Sequence, residues 1–190
     1  MKNSRLSGPA IFMYSVIGVT IIISAICFII HYGGFARSGA VLWTGIVSFM
    51  ILYHFGLRIL FGEITKLIKF DYDLPFFKQK KFEAKLYKLL KVRKWKDKVL
   101  TFNPENYDFQ NRTLSQLATT MAKSETDHWI NEIISVGSIF FSLLWGLFPV
   151  FLITAIAAML FDAQFIIVQR YNRPVVLRLM ERRERLSVKA

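Results

Sequence analysis

Hydrophobic positions along this chain fall into long unbroken runs rather than into the alternating faces of a water-soluble domain. Residues 9–30 (PAIFMYSVIGVTIIISAICFII) hold no charge and reach the roughly 20 residues that a bilayer-spanning helix needs. Residues 39–57 (GAVLWTGIVSFMILYHFGL) repeat the pattern, with His54 and Arg58 toward the exit. From 133 to 168 the only charge is Asp162. That stretch is too long for one span and is interrupted at Trp145-Gly146-Leu147-Phe148-Pro149, which predicts two short helices joined by a tight turn. The expectation is an all-α integral membrane protein with about four transmembrane helices. The third is short: Ile133 to Phe148 gives about 24 Å at 1.5 Å per residue. A tilted neighbour, a thinned bilayer or a re-entrant hairpin would each accommodate it.

Between the second and third spans the periodicity changes. Phe61, Ile64, Leu67 and Ile68 recur at helical spacing with Lys66 and Lys69 among them, until Asp71-Tyr72-Asp73-Leu74-Pro75 breaks the pattern. A second helical stretch carries Phe82, Leu86, Leu89 and Leu90 on one side and Lys80, Lys81, Lys85, Lys88 and Lys91 elsewhere. Such an amphipathic pattern suits a helix lying in the membrane interface. A solvated helix packed on its own protein gives the same periodicity. A turn-rich stretch, Thr101-Phe102-Asn103-Pro104-Glu105-Asn106, follows, and a helical run begins near Ser115. The chain thus divides into an N-terminal two-helix hairpin (1–61), a basic and partly interfacial helical segment (62–129), a C-terminal two-helix hairpin (130–173) and a basic tail (174–190).

Charge orients these pieces. Of 25 Lys and Arg residues, 14 lie between 62 and 129 and seven after 168. Positive residues beside membrane spans stay on the cytoplasmic side, which places both segments, and the N-terminus with Lys2 and Arg5, in the cytoplasm. The 31–38 linker then faces out. An N-terminal signal peptide is the other reading of the first run. Its length, the lack of a small-residue cleavage site and the closely following second span favour a retained helix. The net charge of +12 does not indicate nucleic acid, because aromatic-flanked Lys and Arg next to membrane spans meet anionic lipid heads. The sole cysteine, Cys27, allows no intrachain disulfide. Asn111-Arg112-Thr113 matches a glycosylation sequon, discounted because the topology makes it cytoplasmic. Gly-rich phosphate loops, serine elbows and zinc signatures are missing, so neither cofactor nor metal is implied.

An antiparallel C-terminal hairpin brings the start of its first helix and the end of its second to one membrane face. Glu125, His128 and Trp129 mark the start; Gln169, Arg170, Tyr171, Asn172 and Arg173 mark the end, and Pro174 is expected to close the helix there. Glu125 and His128, three residues apart, share a helical face. A carboxylate beside an imidazole fixes its tautomer and strengthens it as a general base. Arg170, Arg173 and Asn172 can grip phosphate or a developing oxyanion. Asp162 lies about 12 Å deeper at 1.5 Å per residue, where an ionisable group is expensive and calls for a basic or amide partner inside the bundle. Blander readings exist for each: arginines complement a helix C-terminus, and tryptophans form interfacial belts. Glu125-x-x-His128 is also half of a di-iron helix motif, but the remaining carboxylates and histidines are absent.

Three blocks, Val92-Arg93-Lys94-Trp95-Lys96, Glu125-x-x-His128-Trp129-Ile130 and Ile166-Ile167-Val168-Gln169-Arg170-Tyr171-Asn172-Arg173-Pro174, resemble in order and spacing the glycosyl-4,4'-diaponeurosporenoate acyltransferase family over roughly residues 75–185. The chain departs from the family pattern in an added N-terminal span and in Asp162, where an amide is expected. The resemblance implies a bacterial cell-membrane enzyme that esterifies the glucose of a C30 carotenoid glycoside with a fatty acyl group. It implies an amphiphilic glycolipid-like acceptor and a fatty acyl donor, whether acyl-CoA, acyl carrier protein or phospholipid. Glu125, His128, Arg170, Asn172 and Arg173 are the catalytic candidates. Arg93, Lys94, Trp95, Lys96, Trp129, Gln169, Tyr171 and Asp162 are candidates for holding substrate, the Arg93–Lys96 cations facing donor phosphates or an acidic carrier. A non-enzymatic module that binds anionic lipid or a partner protein is the competing reading.

Overall fold

The computed structural model describes residues 8–99 and 104–187. Lys2, Arg5 and residues 101–103 of the expected turn lie outside that range. Every regular element among the described residues is helical. Three helices are long and apolar enough to cross a membrane: α1, Gly8–Tyr32; α2, Gly39–Lys66; and α7, Phe148–Ser187. Four such spans were expected. The other expected span, the stretch from Ile133, is not a single long helix: it continues α5 (Leu114–Ser138) through a 3-10 turn at Ile139–Phe141 into α6 (Ser142–Trp145). Its apolar part covers only about 20 Å at 1.5 Å per residue, well short of the roughly 30 Å hydrocarbon layer.

Two compact units divide at residue 62. In the first, α1 and α2 pack closely at Gly45, where an added Cβ would come within 2.9 Å of the Phe28 ring and 3.0 Å of the Cys27 Cβ. Their outward apolar side chains, such as Ile22 and Ile29, are exposed, as a lipid-facing helix requires.

In the second unit α5 and α7 form an antiparallel hairpin. Thr113 starts α5 with a capping box: its hydroxyl accepts from the Gln116 backbone N–H at 3.2 Å, and the Thr113 N–H donates back to the Gln116 side chain at 3.0 Å. That arrangement satisfies two orphan donors of the first turn. Gly146 and Leu147, both with positive φ, make the tight turn expected at 145–149. Two short helices, α3 (Glu83–Leu89) and α4 (Val92–Trp95), precede the hairpin, and α4 packs on α7.

Pro174 does not end α7, contrary to expectation. The helix runs 40 residues and carries Pro174 in its interior. Proline there removes a backbone hydrogen bond and crowds the carbonyl four residues back, at about 3 kcal/mol. Tertiary packing outweighs that penalty, because Val176 beyond it is buried with Leu117, Ala118 and Met121 of α5. The basic tail therefore begins as helix rather than as loose chain.

Candidate functional site

The α5–α7 interface carries two charged clusters in succession. The first centres on Glu125, fully buried on α5. Its Oε1 accepts from Arg170 Nη1 at 2.5 Å, and its Oε2 lies 2.6 Å from Arg173 Nη2 as an ion pair that lacks hydrogen-bond alignment. Arg170 also donates through Nε to Glu83 Oε1 at 2.8 Å, and through Nη1 and Nη2 to the Phe76 and Lys78 carbonyls at 3.1 Å each. Arg173, itself buried, donates to the Phe77 carbonyl at 2.6 Å and stands 5.0 Å over the Phe77 ring. Its Nε and Nη1 are buried without a hydrogen-bond partner among the described residues. The cluster thus ties the 76–78 loop and α3 to the hairpin. Tyr87 extends it by donating to Glu83 Oε2 at 2.9 Å; burial first, then this hydrogen bond, pushes the phenol well above its ordinary range.

One turn further along α5 is a second arrangement. His128 Nδ1 meets Asp162 Oδ1 at 2.8 Å, and Asn131 Nδ2 donates to the same oxygen at 3.0 Å. Asp162 is fully buried, whereas the His128 side chain keeps 20% exposure. A carboxylate in its ionised form only accepts, and a neutral imidazole that donates to it through Nδ1 carries its lone pair on Nε2. Phe165 stacks flat on the ring, 4.4 Å between centroids at 2°, and fixes its plane. The expectation that Glu125 orients His128 is thereby corrected. Glu125 is engaged with the arginines, and Asp162 across the helix pair takes the imidazole. Asp162 has the basic and amide partners that its depth demanded.

The remaining sequence-derived residues scatter around this interface. Gln169 is buried and donates to the Tyr107 hydroxyl at 3.1 Å; Tyr171 meets Tyr87 edge-on at 5.4 Å. Burial pushes the Tyr107 phenol up, opposed by its hydrogen bonds with Ser124 and Gln169. Asn172 is half-buried on α7 with no side-chain hydrogen bond among the described residues. Arg93 and Lys94 are exposed. Trp95 donates to the Leu90 carbonyl at 2.9 Å, and Lys96 pairs with Asp97 at 2.6 Å. Trp129 is exposed beside His128. An open hollow of about 600 Å³ between Phe109–Ser115 and Met180–Glu184 contains none of these residues.

Sequence reasoning passed over Glu83, Tyr87 and Asn131, and over a polar clamp at the end of α2. There Thr65 donates to Asp127 at 2.6 Å while Lys123 donates to Thr65 at 2.8 Å and to Asp127 at 2.7 Å. Glu83 had a readable signal, being the lone carboxylate between Asp73 and Asp97 in a lysine-rich run. Asn131 lies one turn from His128 on the same helix face, a spacing that could have been read.

No curated protein and no solved structure matches the chain. A family model, described as glycosyl-4,4'-diaponeurosporenoate acyltransferase, matches residues 73–182. The matched region runs from the loop that receives Arg170 to the packed half of α7 beyond Pro174, and so takes in both charged clusters. Covering more than half of the sequence, that match places the chain in the glycosyl-4,4'-diaponeurosporenoate acyltransferase family.

Proposed function

We propose that the protein esterifies a hydroxyl of a glycolipid-like acceptor, such as the sugar of a carotenoid glycoside, with a fatty acyl group, and that His128 is its general base. The observation that carries this reading is the buried Asp162 carboxylate bonded to His128 Nδ1 at 2.8 Å, with the opposite ring nitrogen left to a substrate. In the reaction Nε2 takes the proton of the acceptor hydroxyl as its oxygen attacks the acyl carbonyl carbon. The tetrahedral intermediate then collapses, its bond to the donor's leaving atom breaks, and the imidazolium returns the proton to that atom. Asp162 acts as a positioning residue that holds the tautomer and steadies the imidazolium, the division of labour known from hydrolase triads. Asn131 steadies Asp162.

Arg170 and Arg173, in this reading, build the site rather than grip the substrate, because Glu125, Glu83 and backbone carbonyls occupy Arg170, and Arg173 is buried with its Nη2 held by Glu125 and the Phe77 carbonyl. Arg93 and Lys94 are exposed and suit the phosphates of acyl-CoA or the acidic surface of a carrier protein; a phospholipid donor would present its headgroup to them equally. Exposed Leu160 and Phe161 beside Asp162 on α7 give amphiphilic substrates lateral entry from the membrane. The charge distribution favours a multi-pass protein of the bacterial cell membrane with both termini cytoplasmic.

The experiment compares lipid extracts of cells lacking the gene with cells carrying wild type, His128→Ala or His128→Gln, at matched protein level in the membrane. An esterified glycolipid is expected to appear with wild type and to fall by about 10²–10⁴ in rate of formation with either variant, the usual contribution of a general base. Transfer within about threefold of wild type would exclude His128 from that role.

A further inference from the structure

The helical stretch around Phe82–Leu90 faces the opposite way from what its apolar pattern suggests for a soluble fold. Helix α3 turns Glu83 and Tyr87 inward, both buried. Of the residues that look like its core side, Leu86 is half-buried, but Phe82 is 63% exposed, Leu89 78% and Leu90 40%. On the same outward side stand Lys85 and Lys88, and every lysine and arginine from Lys78 to Lys94 is exposed. The only carboxylate within that stretch, Glu83, is bonded inward to Arg170 and Tyr87. The outward surface is therefore cationic without internal compensation, with large apolar side chains set among the charges. The Phe76 side chain, 53% exposed, continues it on the loop whose carbonyl holds Arg170.

Water alone gives no reason to present Phe82 and Leu89 this way, and a neutral partner gives no reason for the lysines. A bilayer surface accounts for both. Apolar side chains enter the acyl boundary, while the flexible lysine stems lie along it and lift their ammonium groups to the phosphates. Each cation near an anionic leaflet contributes about 1 kcal/mol. An acidic protein would match the charge but would not call for Phe and Leu side chains on both sides of the lysines. Only residues 67–75 separate the segment from α2, one of the helices long and apolar enough to span, which keeps it near a membrane.

We propose that the outward surface of residues 76–91 is a membrane-interface platform that seats on anionic phospholipid headgroups, with Phe82 and Leu89 in the acyl boundary. This goes beyond the catalytic reading and stands independently of it. Through Glu83 and Arg170 the platform is fixed to the hairpin, so it sets the height of the hairpin against the bilayer surface.

The test uses the full chain with Cys27→Ser and Leu89→Cys, labelled at position 89 with an environment-sensitive fluorophore. It is reconstituted in vesicles of phosphatidylcholine alone or mixed with phosphatidylglycerol, with and without spin-labelled lipid as quencher. In phosphatidylglycerol vesicles the label is expected to report an apolar setting and to be quenched by the lipid. Lys81→Gln, Lys85→Gln and Lys88→Gln should each weaken this seating by about fivefold, and the matching Lys→Arg variants should preserve it. Leu89 and the lysines are exposed, so these changes leave the packed interior intact. A label that stays in water in phosphatidylglycerol vesicles overturns the proposal. So does equal shielding in phosphatidylcholine and in the Gln variants, which would remove the charge selection. Shielding that arises only when an acidic carrier protein is added would assign the surface to a protein partner instead.

Discussion

Glu125 and His128 sit one helical turn apart on α5 and both reach across to α7, yet their surroundings differ in kind. Around Glu125 two guanidiniums, a second carboxylate and three backbone carbonyls close on one another. Around His128 one buried carboxylate holds a single edge of the ring, and one amide holds that carboxylate. The first cluster holds more charge but turns it on itself. The second holds less and leaves the His128 side chain partly exposed. A concentration of charged residues at a hairpin is thus a poor guide to chemistry by itself; what distinguishes the clusters is access, because the donors of Arg173 that lack a partner among the described residues are buried, whereas the His128 side chain keeps 20% exposure. Buried ion pairs of the first kind serve to fix one arrangement of elements, here the α3 segment against the hairpin.

The sharpest way to break this contrast is to empty the first cluster. Glu125→Ala leaves Arg170 with Glu83 as its one carboxylate beside the Phe76 and Lys78 carbonyls, and strips Arg173 of its carboxylate. Removing one partner of a buried pair costs about 3–5 kcal/mol. Thermal melts of the detergent-solubilised protein should show that loss as a large drop in midpoint or as absence of folded material. The fraction that remains folded should still transfer acyl groups at a rate near wild type. A stable Glu125→Ala protein with abolished turnover would reverse the assignment and move the chemistry to the arginines.

Asp162→Asn probes the second cluster and should show the reverse pattern. The amide keeps the shape but no longer demands a proton on Nδ1, so the imidazole can adopt the wrong tautomer. Turnover is expected to fall by about 10²-fold or more, by analogy with triads in which the same replacement is made, while the melting midpoint moves less than in Glu125→Ala. Parallel assays of melting and acyl transfer on the two variants give a crossed result if the comparison is right. If Asp162→Asn retains turnover and only melts earlier, the imidazole–carboxylate pair is scaffolding as well.

The sequence showed the hairpin because the tight-turn residues at 145–149 and the lone charge at Asp162 are one-dimensional signals. It also showed that residues near 125 must meet residues near 170, which antiparallel geometry guarantees once the turn is placed. Which carboxylate meets which base was not readable. Glu125 and Asp162 are both within reach of His128 by helical spacing, and the choice depends on Arg170 and Arg173 claiming Glu125 from the other helix. Pro174 misled for a related reason: a local rule says stop, and burial of Val176 against α5 says continue. The third expected span is the least legible, because apolar composition resumes only after Glu132 and the helix breaks at Ile139–Phe141. Phe82 and Leu89 look the same to a periodicity argument whether they face a core or a bilayer. Only the inward turn of Glu83 and Tyr87 separates the two.

Tyr87→Phe is the smallest expected effect and tests how closed the first cluster is. The hydroxyl donates to Glu83 Oε2, and its loss should destabilise the fold by about 1 kcal/mol, the net worth of one such bond. Burial and the Glu83 carboxylate raise the folded phenol above its ordinary value of 10.0, so the folded chain holds this proton more tightly than the unfolded one. By linkage the contribution is fully present below pH 10.0 and is lost as pH rises from there toward the folded value. Other groups titrate in the same alkaline range, so the informative quantity is the difference in melting midpoint between wild type and Tyr87→Phe. That difference should be positive at neutral pH and shrink at alkaline pH, with acyl transfer at neutral pH unchanged. A difference that stays constant across the range would mean that Tyr87 packs against Glu83 without holding it. Arg170 would then owe its place to Glu125 and the loop carbonyls, and the first cluster would be less closed than its geometry indicates.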